Sequence, residues 1–238
     1  VAGSGGNGYD GDDKPATEAS LNTPSAVAVA ANGDLYIADT LNYRIRMVDA
    51  KTGLIHTIAG DGTPGDDSTE IGDGGPAGGA RLNMPSDVAL APNGDLYIAD
   101  MHHNRIRKID AKTGVITTVA GSGSWGSWGD DGPATQAALA GPAGVTLVPQ
   151  ARGLLIVIAD YYNGHVRIVG TDGIIRDLSE AGRVAFGAPT RVAYAPRRGW
   201  LYVTDSSRDQ IVPVPIRNVL QNAPVPRPAP VPTPKATG

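Results

Sequence analysis

Short stretches in which apolar and polar positions alternate recur along this chain, with turn-forming residues between them. In the first unit these stretches are residues 26–30, 35–38, 45–48 and 54–59. Asn32-Gly33-Asp34 follows the first stretch and Lys51-Thr52-Gly53 follows the third, and both have the chemistry of tight turns. The pattern therefore predicts four antiparallel strands in sequence order. No stretch carries the long 3.6-residue periodicity of an amphipathic helix.

The unit repeats along the chain. Gly33-Asp34-Leu35-Tyr36-Ile37-Ala38-Asp39 returns unchanged at residues 94–100, and altered copies lie at 154–160 and 199–205. The aspartates that end these copies, at positions 39, 100, 160 and 205, are 61, 60 and 45 residues apart. A unit of about 40–45 residues with four up-and-down strands is the blade pattern of a β-propeller. We therefore predict an all-β fold, a β-propeller of about four four-stranded blades.

Composition narrows the classes of function. The 32 glycines and 19 prolines lie between the apolar runs, where turns need them. A formal net charge of −4 is unfavourable for a nucleic-acid partner, and no apolar run reaches the ~20 residues that span a bilayer. Because cysteine is absent, disulfides and thiolate metal sites are excluded. The chain begins at Val1, so we expect a removed export signal and an extracellular or cell-surface location.

Two motifs carry a family resemblance. Pro24-Ser25-Ala26-Val27-Ala28-Val29, with Gly33–Asp39 and Asn42-Tyr43-Arg44-Ile45-Arg46 after it, closely resembles the NHL repeat of β-propellers, and the copy from Pro85 matches equally well. The insert Gly72-Asp73-Gly74-Gly75-Pro76-Ala77 resembles that of long bacterial members. The resemblance implies a propeller domain over residues 1–218. It implies less about function, since members range from scaffolds and sensor ectodomains to RNA binders and a lyase.

The two ends of the propeller domain lack complete blades. Val1-Ala2-Gly3 matches the outer-strand ends at residues 58–60 and 119–121, and the third strand of the last blade carries Pro213 and Pro215. We expect the last blade to be completed either by this N-terminal strand, which closes a four-blade ring, or by a neighbouring subunit. The prolines remove two donors from one strand edge and favour the neighbour.

After residue 218 the composition changes. In residues 219–238 proline occupies every second position of one segment, at Pro224, Pro226, Pro228, Pro230, Pro232 and Pro234. Alternating X-Pro restricts the backbone and predicts a stiff, extended tail, which reaches on the order of 37 Å at ~3.1 Å per residue. The tail is interpreted as a strap that docks on an adjacent subunit, with a passive spacer or stalk as the alternative.

Charged residues recur at matching places in the units. Asp39, Asp100, Asp160 and Asp205 are predicted to cap the turn into the third strand, with a central metal as the alternative. Arg44 and Arg105 are expected to pair with nearby carboxylates or to form a basic rim. Glycine-flanked aspartates at positions 12–13, 66–67, 73 and 130–131 leave Ca²⁺ open as a ligand. We predict no catalytic, cofactor-binding or metal-ligating residue.

Trp125 and Trp128 stand out on a glycine-rich insert. They are candidates for contact with a protein or glycan partner, or else they fold back over a blade. The sequence as a whole favours a non-enzymatic, extracellular interaction protein that associates head to tail with copies of itself, as a ring or filament. The alternatives are a metal-dependent propeller enzyme of the lyase or lactonase kind and a sensor ectodomain that binds glycan or protein.

Overall fold

The computed structural model describes residues 1–65, 71–178 and 185–216. Four antiparallel sheets, which we call blades 1 to 4, follow one another in sequence. Consecutive strands are neighbours in each sheet, apart from a two-residue strand at the outer edge of blade 1. Blade 1 contains β1 (Lys14–Pro15), β2 (Pro24–Val29), β3 (Leu35–Asp39), β4 (Arg44–Val48) and β5 (Leu54–Ala59). Blade 2 contains β6 (Pro85–Leu90), β7 (Leu96–Asp100), β8 (Arg105–Ile109) and β9 (Ile116–Ala120). Blade 3 contains β10 (Pro142–Gln150), β11 (Gly153–Asp160), β12 (His165–Val169) and β13 (Ile175–Asp177). Blade 4 contains β14 (Pro189–Ala195), β15 (Trp200–Asp205) and β16 (Gln210–Pro215).

Single turns of 3-10 helix lie at two recurring places. One set follows the proline of each insert, at Ala16–Glu18, Ala77–Gly79 and Ala134–Gln136. The other set follows the second strand of a blade, at Thr40–Asn42, Met101–His103 and Tyr161–Asn163. The residue after each of these latter turns is left-handed, with φ of 55° at Tyr43, 51° at Asn104 and 69° at Gly164. This reversal sends the chain directly into the third strand.

The blades pack face to face around a shared inner row of strands. The first strands are neighbours in order, with β2 beside β6, β6 beside β10 and β10 beside β14. Each interface between blades has its own apolar cluster. Ile45 of blade 1 and Val88 of blade 2 belong to the first cluster, which shows how one blade presents its third strand to the first strand of the next.

Val1–Gly3 does not join blade 4 in this structure, although completion of that blade by the N-terminal strand was one of the two expectations. The backbone N–H of Gly3 donates to Ala16 O at 2.8 Å, and Ala2 packs on the apolar cluster of blade 1. Gly60 donates to Ala77 O in the same way at 3.1 Å. The N-terminal segment therefore packs on blade 1 at the position that the end of β5 occupies on blade 2. In the described residues blade 4 has three strands.

The proline-rich tail lies outside the described residues, and so do Asp66 and Asp67. Pro213 and Pro215 are in β16, opposite Tyr202 and Trp200 of β15. Within the described ranges no helix has the length and apolar character that crossing a membrane requires.

Candidate binding surfaces

A buried arginine lies under the loops of each of the first three blades. Arg46 in β4 is inaccessible to solvent, and its Nη2 lies 2.7 Å from Asp12 Oδ1 while its Nη1 lies 3.4 Å from Asp39 Oδ2. The same arrangement joins Arg107 to Asp73 and Asp100, and Arg167 to Asp130 and Asp160. Each guanidinium is thus shared by two carboxylates, one from the insert and one from the end of the second strand. Breaking such a buried group leaves a charge without its partner, at a typical cost of ~3–5 kcal/mol.

The strand-ending aspartates have a structural role, but with different donors from those expected. Asp39 Oδ1 accepts the backbone N–H of Asn22 at 2.7 Å, and Asp160 Oδ1 accepts that of Ala140 at 2.7 Å. These donors precede the first strand of the blade, whereas the sequence predicted donors in the turn into the third strand. The carboxylate therefore ties the entry of each blade to the end of its second strand.

The environment shifts these carboxylates in opposite directions. Burial raises the pKa of Asp160 from 3.8 to about 6, against the lowering effect of the Ala140 N–H, Asn163 and Arg167. Burial would also raise the pKa of Asp205, but the backbone N–H groups of Ala188 and Gly187 outweigh it, and the pKa is lowered. Val212 occupies the place of the buried arginine in blade 4. An aspartate thus ends the second strand in both blades, but its pKa is raised in blade 3 and lowered in blade 4.

Arg44 and Arg105 bind backbone carbonyls. Arg44 donates to Asn42 O at 3.0 Å and Asp61 O at 2.9 Å, and its guanidinium lies 3.8 Å from the centre of the Tyr9 ring. Arg105 donates to His103 O at 3.1 Å and Ser122 O at 3.0 Å. The expectation of a carboxylate partner is wrong for Arg44 among the described residues. Both arginines instead fasten the connection between one blade and the next.

The aspartates considered for Ca²⁺ contact basic side chains of the protein where the structure describes them. Asp12, Asp73 and Asp130 each accept a buried guanidinium at 2.7–2.8 Å. Asp13 lies 2.8 Å from His56 Nδ1. No group of three or more His, Asp or Glu side chains that could hold a metal ion occurs within the described ranges.

One arginine crosses the central channel. Arg191 in β14 donates from Nη2 to Ser25 O at 3.1 Å and to Ser86 O at 2.9 Å, and from Nη1 to Ala143 O. Its Nε lies 3.9 Å from Asp87 Oδ2. One side chain thereby reaches the first strands of all three other blades. The sequence analysis did not single out this residue, because Ala26, Asp87 and Gly144 occupy the matching positions and give no repeating signal.

The two ends of the array expose the apolar faces that all inner blades bury. Val27 in β2 is 60% exposed, whereas its equivalents in the next blades, Val88, Val145 and Val192, are 5%, 3% and 6% exposed. At the other end Ile211 in β16 is 66% exposed, whereas Ile45, Ile106 and Val166 are fully buried. The first set contacts the preceding blade and the second set contacts the following one. Blade 1 and blade 4 therefore expose the two kinds of face that meet in each interface between neighbouring blades.

The free face of blade 1 is also concave. A hollow of about 480 Å³ is lined by Val27, Val29, Ile37 and the N-terminal residues Val1 and Ala2. Val29 is 64% exposed. On blade 4 the corresponding face carries Pro213, which is opposite Tyr202. Of the residues assigned to assembly from the sequence, Val1, Ala2 and Gly3 thus lie at one free face and Pro213 at the other.

A third surface lies on the loop side, between blades 2 and 3. Trp125 and Tyr162 are 61% and 54% exposed, and their ring centres are 4.9 Å apart. They line a cleft of about 810 Å³ together with His102, Arg105 and other polar residues. Trp128, on the same loop, is 57% exposed. Both tryptophans thus expose more than half of their surface, which favours contact with a partner over the alternative that they fold back over a blade.

Four meandering sheets packed around one inner row of strands define the class of this protein, which is a β-propeller domain. Residues 3–49 and 50–128, more than half of the chain, match the family model of the teneurin NHL domain. The chain belongs to the NHL-repeat family.

Relatives agree with this assignment over most of the chain. NHL repeat-containing protein 2 of Bos taurus is 28% identical over 82% of this chain, and SUPPRESSOR OF QUENCHING 1 of Arabidopsis thaliana is 30% identical over 74%. The chain spans only 31% and 17% of these two proteins. An auxiliary nutrient binding protein from Bacteroides ovatus has the same fold, with a TM-score of 0.59 at 19% identity over 82% of this chain and 49% of that one.

Proposed function

We propose that this domain is a non-enzymatic interaction module that associates head to tail with copies of itself. In this arrangement the free face of blade 4 in one copy packs on the free face of blade 1 in the next. The observation that carries the proposal is the matched exposure of Val27 and Ile211, 60% and 66%, at positions that are buried in every interface inside the chain.

A second copy of this chain is favoured as the occupant of each free face, because the two free faces repeat the two sides of an interface between blades. Within the chain, Ile45 and Val88 share one buried cluster, and Val166 and Val192 share another. A contact between Ile211 of one copy and Val27 of the next reproduces this arrangement with the same residue types. Burial of an Ile or Val side chain stabilises by ~1.5–3 kcal/mol, so both exposed residues favour association. A head-to-tail contact yields a closed ring or an open filament.

The prolines of β16 support packing through the sheet face. Pro213 and Pro215 lack an N–H donor, which disfavours a further strand paired to this edge. Face-to-face packing needs no such donors, and it is the mode that the four blades already use. In this proposal Pro213 prevents a further strand from pairing with the free edge of β16.

The proposal extends to properties that the sequence alone supports. Residues 219–238 dock on the adjacent subunit as an extended strap, through Pro224 and the alternating prolines that follow it. The domain acts outside the cell or at its surface, without a cofactor. Deletion of residues 219–238 is expected to lower the oligomer mass. An unchanged mass would reject the strap but not the head-to-tail contact between blades.

Light scattering tests the head-to-tail contact. The mass of the full chain is expected to rise with concentration, and Val27→Asp or Ile211→Asp is expected to hold it at that of one chain. Trp128→Asp is the matched control, because Trp128 is 57% exposed on the loop between blades 2 and 3, away from both free faces. A concentration-independent mass of one chain for the unmodified protein, or equal masses for all variants, would overturn the proposal.

A further inference from the structure

The cleft between blades 2 and 3 combines two exposed aromatic side chains with polar walls. Trp125 and Tyr162 contact each other, and the ring of Tyr161 lies 4.7 Å from that of Tyr162 in an edge-on arrangement. The polar side chains that line the cleft are Asn83, His102, Asn104, Arg105, Ser122 and Ser124. No aliphatic side chain is among the lining residues that the structure describes.

The backbone at Trp125 does not require a tryptophan. Trp125 forms a parallel bridge to Leu139, and Pro64 forms the same bridge to Leu82 one blade earlier. Because proline supports this backbone in one loop, the large exposed ring in the other is not explained by folding. A contiguous exposed aromatic patch with polar residues around it, such as Trp125 with Tyr162, is typical of a binding site.

The same reasoning applies to Tyr162. Its backbone N–H donates to Ala140 O at 3.0 Å, while His102 and Leu41, at the matching positions, donate to Asn83 O at 3.0 Å and to Asn22 O at 3.1 Å. Tyrosine, histidine and leucine thus occupy one backbone site with equal geometry. The side chain at this site is free to differ from blade to blade, and in blade 3 it stacks beside Trp125.

The loop that carries the tryptophans is held in place before any ligand arrives. Asn163 Nδ2 donates to Gly126 O at 2.7 Å and also to the buried Asp160 at 2.7 Å. Ala138 N–H donates to Trp128 O at 3.0 Å, and Arg167 donates to Ala138 O at 3.0 Å. The loop backbone at Gly126 and Trp128 is therefore anchored to the buried Asp160–Arg167 pair. Rigid placement lowers the entropy that binding loses.

We infer that this cleft binds a saccharide, with one face of a sugar ring stacked on Trp125 and Tyr162. The axial C–H groups of a pyranose carry a small positive charge, and the faces of the indole and phenol rings are negative. The sugar hydroxyls then meet hydroxyl, amide and imidazole groups at the walls. An apolar peptide side chain would lack aliphatic neighbours here, so the lining favours a saccharide over a peptide. The volume of about 810 Å³ lies in the range of small-molecule sites.

An array of defined plant, animal and bacterial oligosaccharides provides the probes, and the oligosaccharide that gives the strongest signal is then titrated in a calorimeter. Trp125→Ala and Tyr162→Ala are each expected to weaken that binding at least tenfold. Leu41→Ala is the control, because it changes the matching position of blade 1, and its affinity is expected to remain unchanged. Circular dichroism and the melting temperature show whether each variant is folded.

Two outcomes would overturn the inference: no signal on the array above that of a denatured sample, or equal affinities for Trp125→Ala, Tyr162→Ala and the unmodified chain. The result is independent of self-association. Val27→Asp changes a different surface, and this variant is expected to bind the saccharide as the unmodified chain does.

Discussion

The guanidinium of Arg191 lies 3.1 Å from the carbonyl oxygen of Ser25, 166 residues earlier in the chain. This contact joins the first strand of the last blade to the first strand of the first blade across the channel. Further donations to Ser86 O and Ala143 O include the two blades between them. Arg191 therefore fixes the arc of blades from the inside, while their outer faces remain open at both ends.

Loss of this link is expected to destabilise the domain. Arg191→Met keeps the apolar stem of the side chain and removes its donors, so the free energy of unfolding should fall by ~1–2 kcal/mol, after a discount for a side chain that is 36% exposed. Urea unfolding measures this change. Arg197→Met, at an exposed turn position, is the control and should change nothing. Equal midpoints for both variants would contradict a role for the link.

The exposed and buried copies of one position should respond differently to the same substitution. Val88→Ala is expected to lower the free energy of unfolding by ~2 kcal/mol, because Val88 is 5% exposed in the interface of blades 1 and 2. Val27→Ala should change it by less than ~0.5 kcal/mol in a sample dilute enough to contain single chains. Calorimetry of the two variants makes the comparison. Similar losses would mean that the face of blade 1 is already covered.

Gly121 lies where the chain passes from blade 2 to blade 3, and its environment excludes a side chain. Its φ is +90°, and an added Cβ would meet Asn104 O at 2.2 Å. Gly121→Ala should therefore cost more than ~3 kcal/mol. Gly114→Ala is the control, since its φ is +69° but an added Cβ has open space, and it should cost only ~1 kcal/mol. Thermal unfolding measures the loss of stability in both variants. Equal losses would show that the cost comes from the positive φ alone and not from the contact with Asn104 O.

The raised pKa of Asp160 gives a pH dependence with a definite sign. Its pKa is 3.8 without the fold and about 6 within it, so the folded state holds the proton more tightly. The contribution of this group to stability is full below pH 3.8 and is lost as the pH rises through about 6. A carbon-13 titration of the side-chain carboxyl groups should show one signal with a midpoint near 6, absent in Asp160→Asn. A midpoint at or below 3.8 would contradict the assignment.

Much of the fold follows from local sequence. The alternating stretches and their turns predicted β2 to β5 of blade 1 to within two residues, because these strands pair with neighbours joined by short connections. Arg191, which links the first strands of the blades, was not predicted. Arg191 acts on Ser25 and Ser86, which are far away in the chain, and it occurs in one blade only.

The buried arginines could have been found. Arg46, Arg107 and Arg167 recur at one place in the third strand, each directly after an apolar residue, and each of these three units also repeats an insert aspartate. Read together, these signals predict a buried ion pair between strand and insert. The aromatic pairing of Trp125 with Tyr162 gave no such signal, since it depends on how two blades lie side by side.

Cross-linking across subunits tests the central claim most directly, because the chain has no cysteine of its own. Chains with Val27→Cys and chains with Ile211→Cys, one of them carrying a size tag, are mixed and treated with a short bis-maleimide. The head-to-tail account predicts a mixed cross-linked dimer, and a ladder of higher products from the double variant Val27→Cys/Ile211→Cys. Absence of the mixed dimer, or a double variant that cross-links only within one chain, would contradict it.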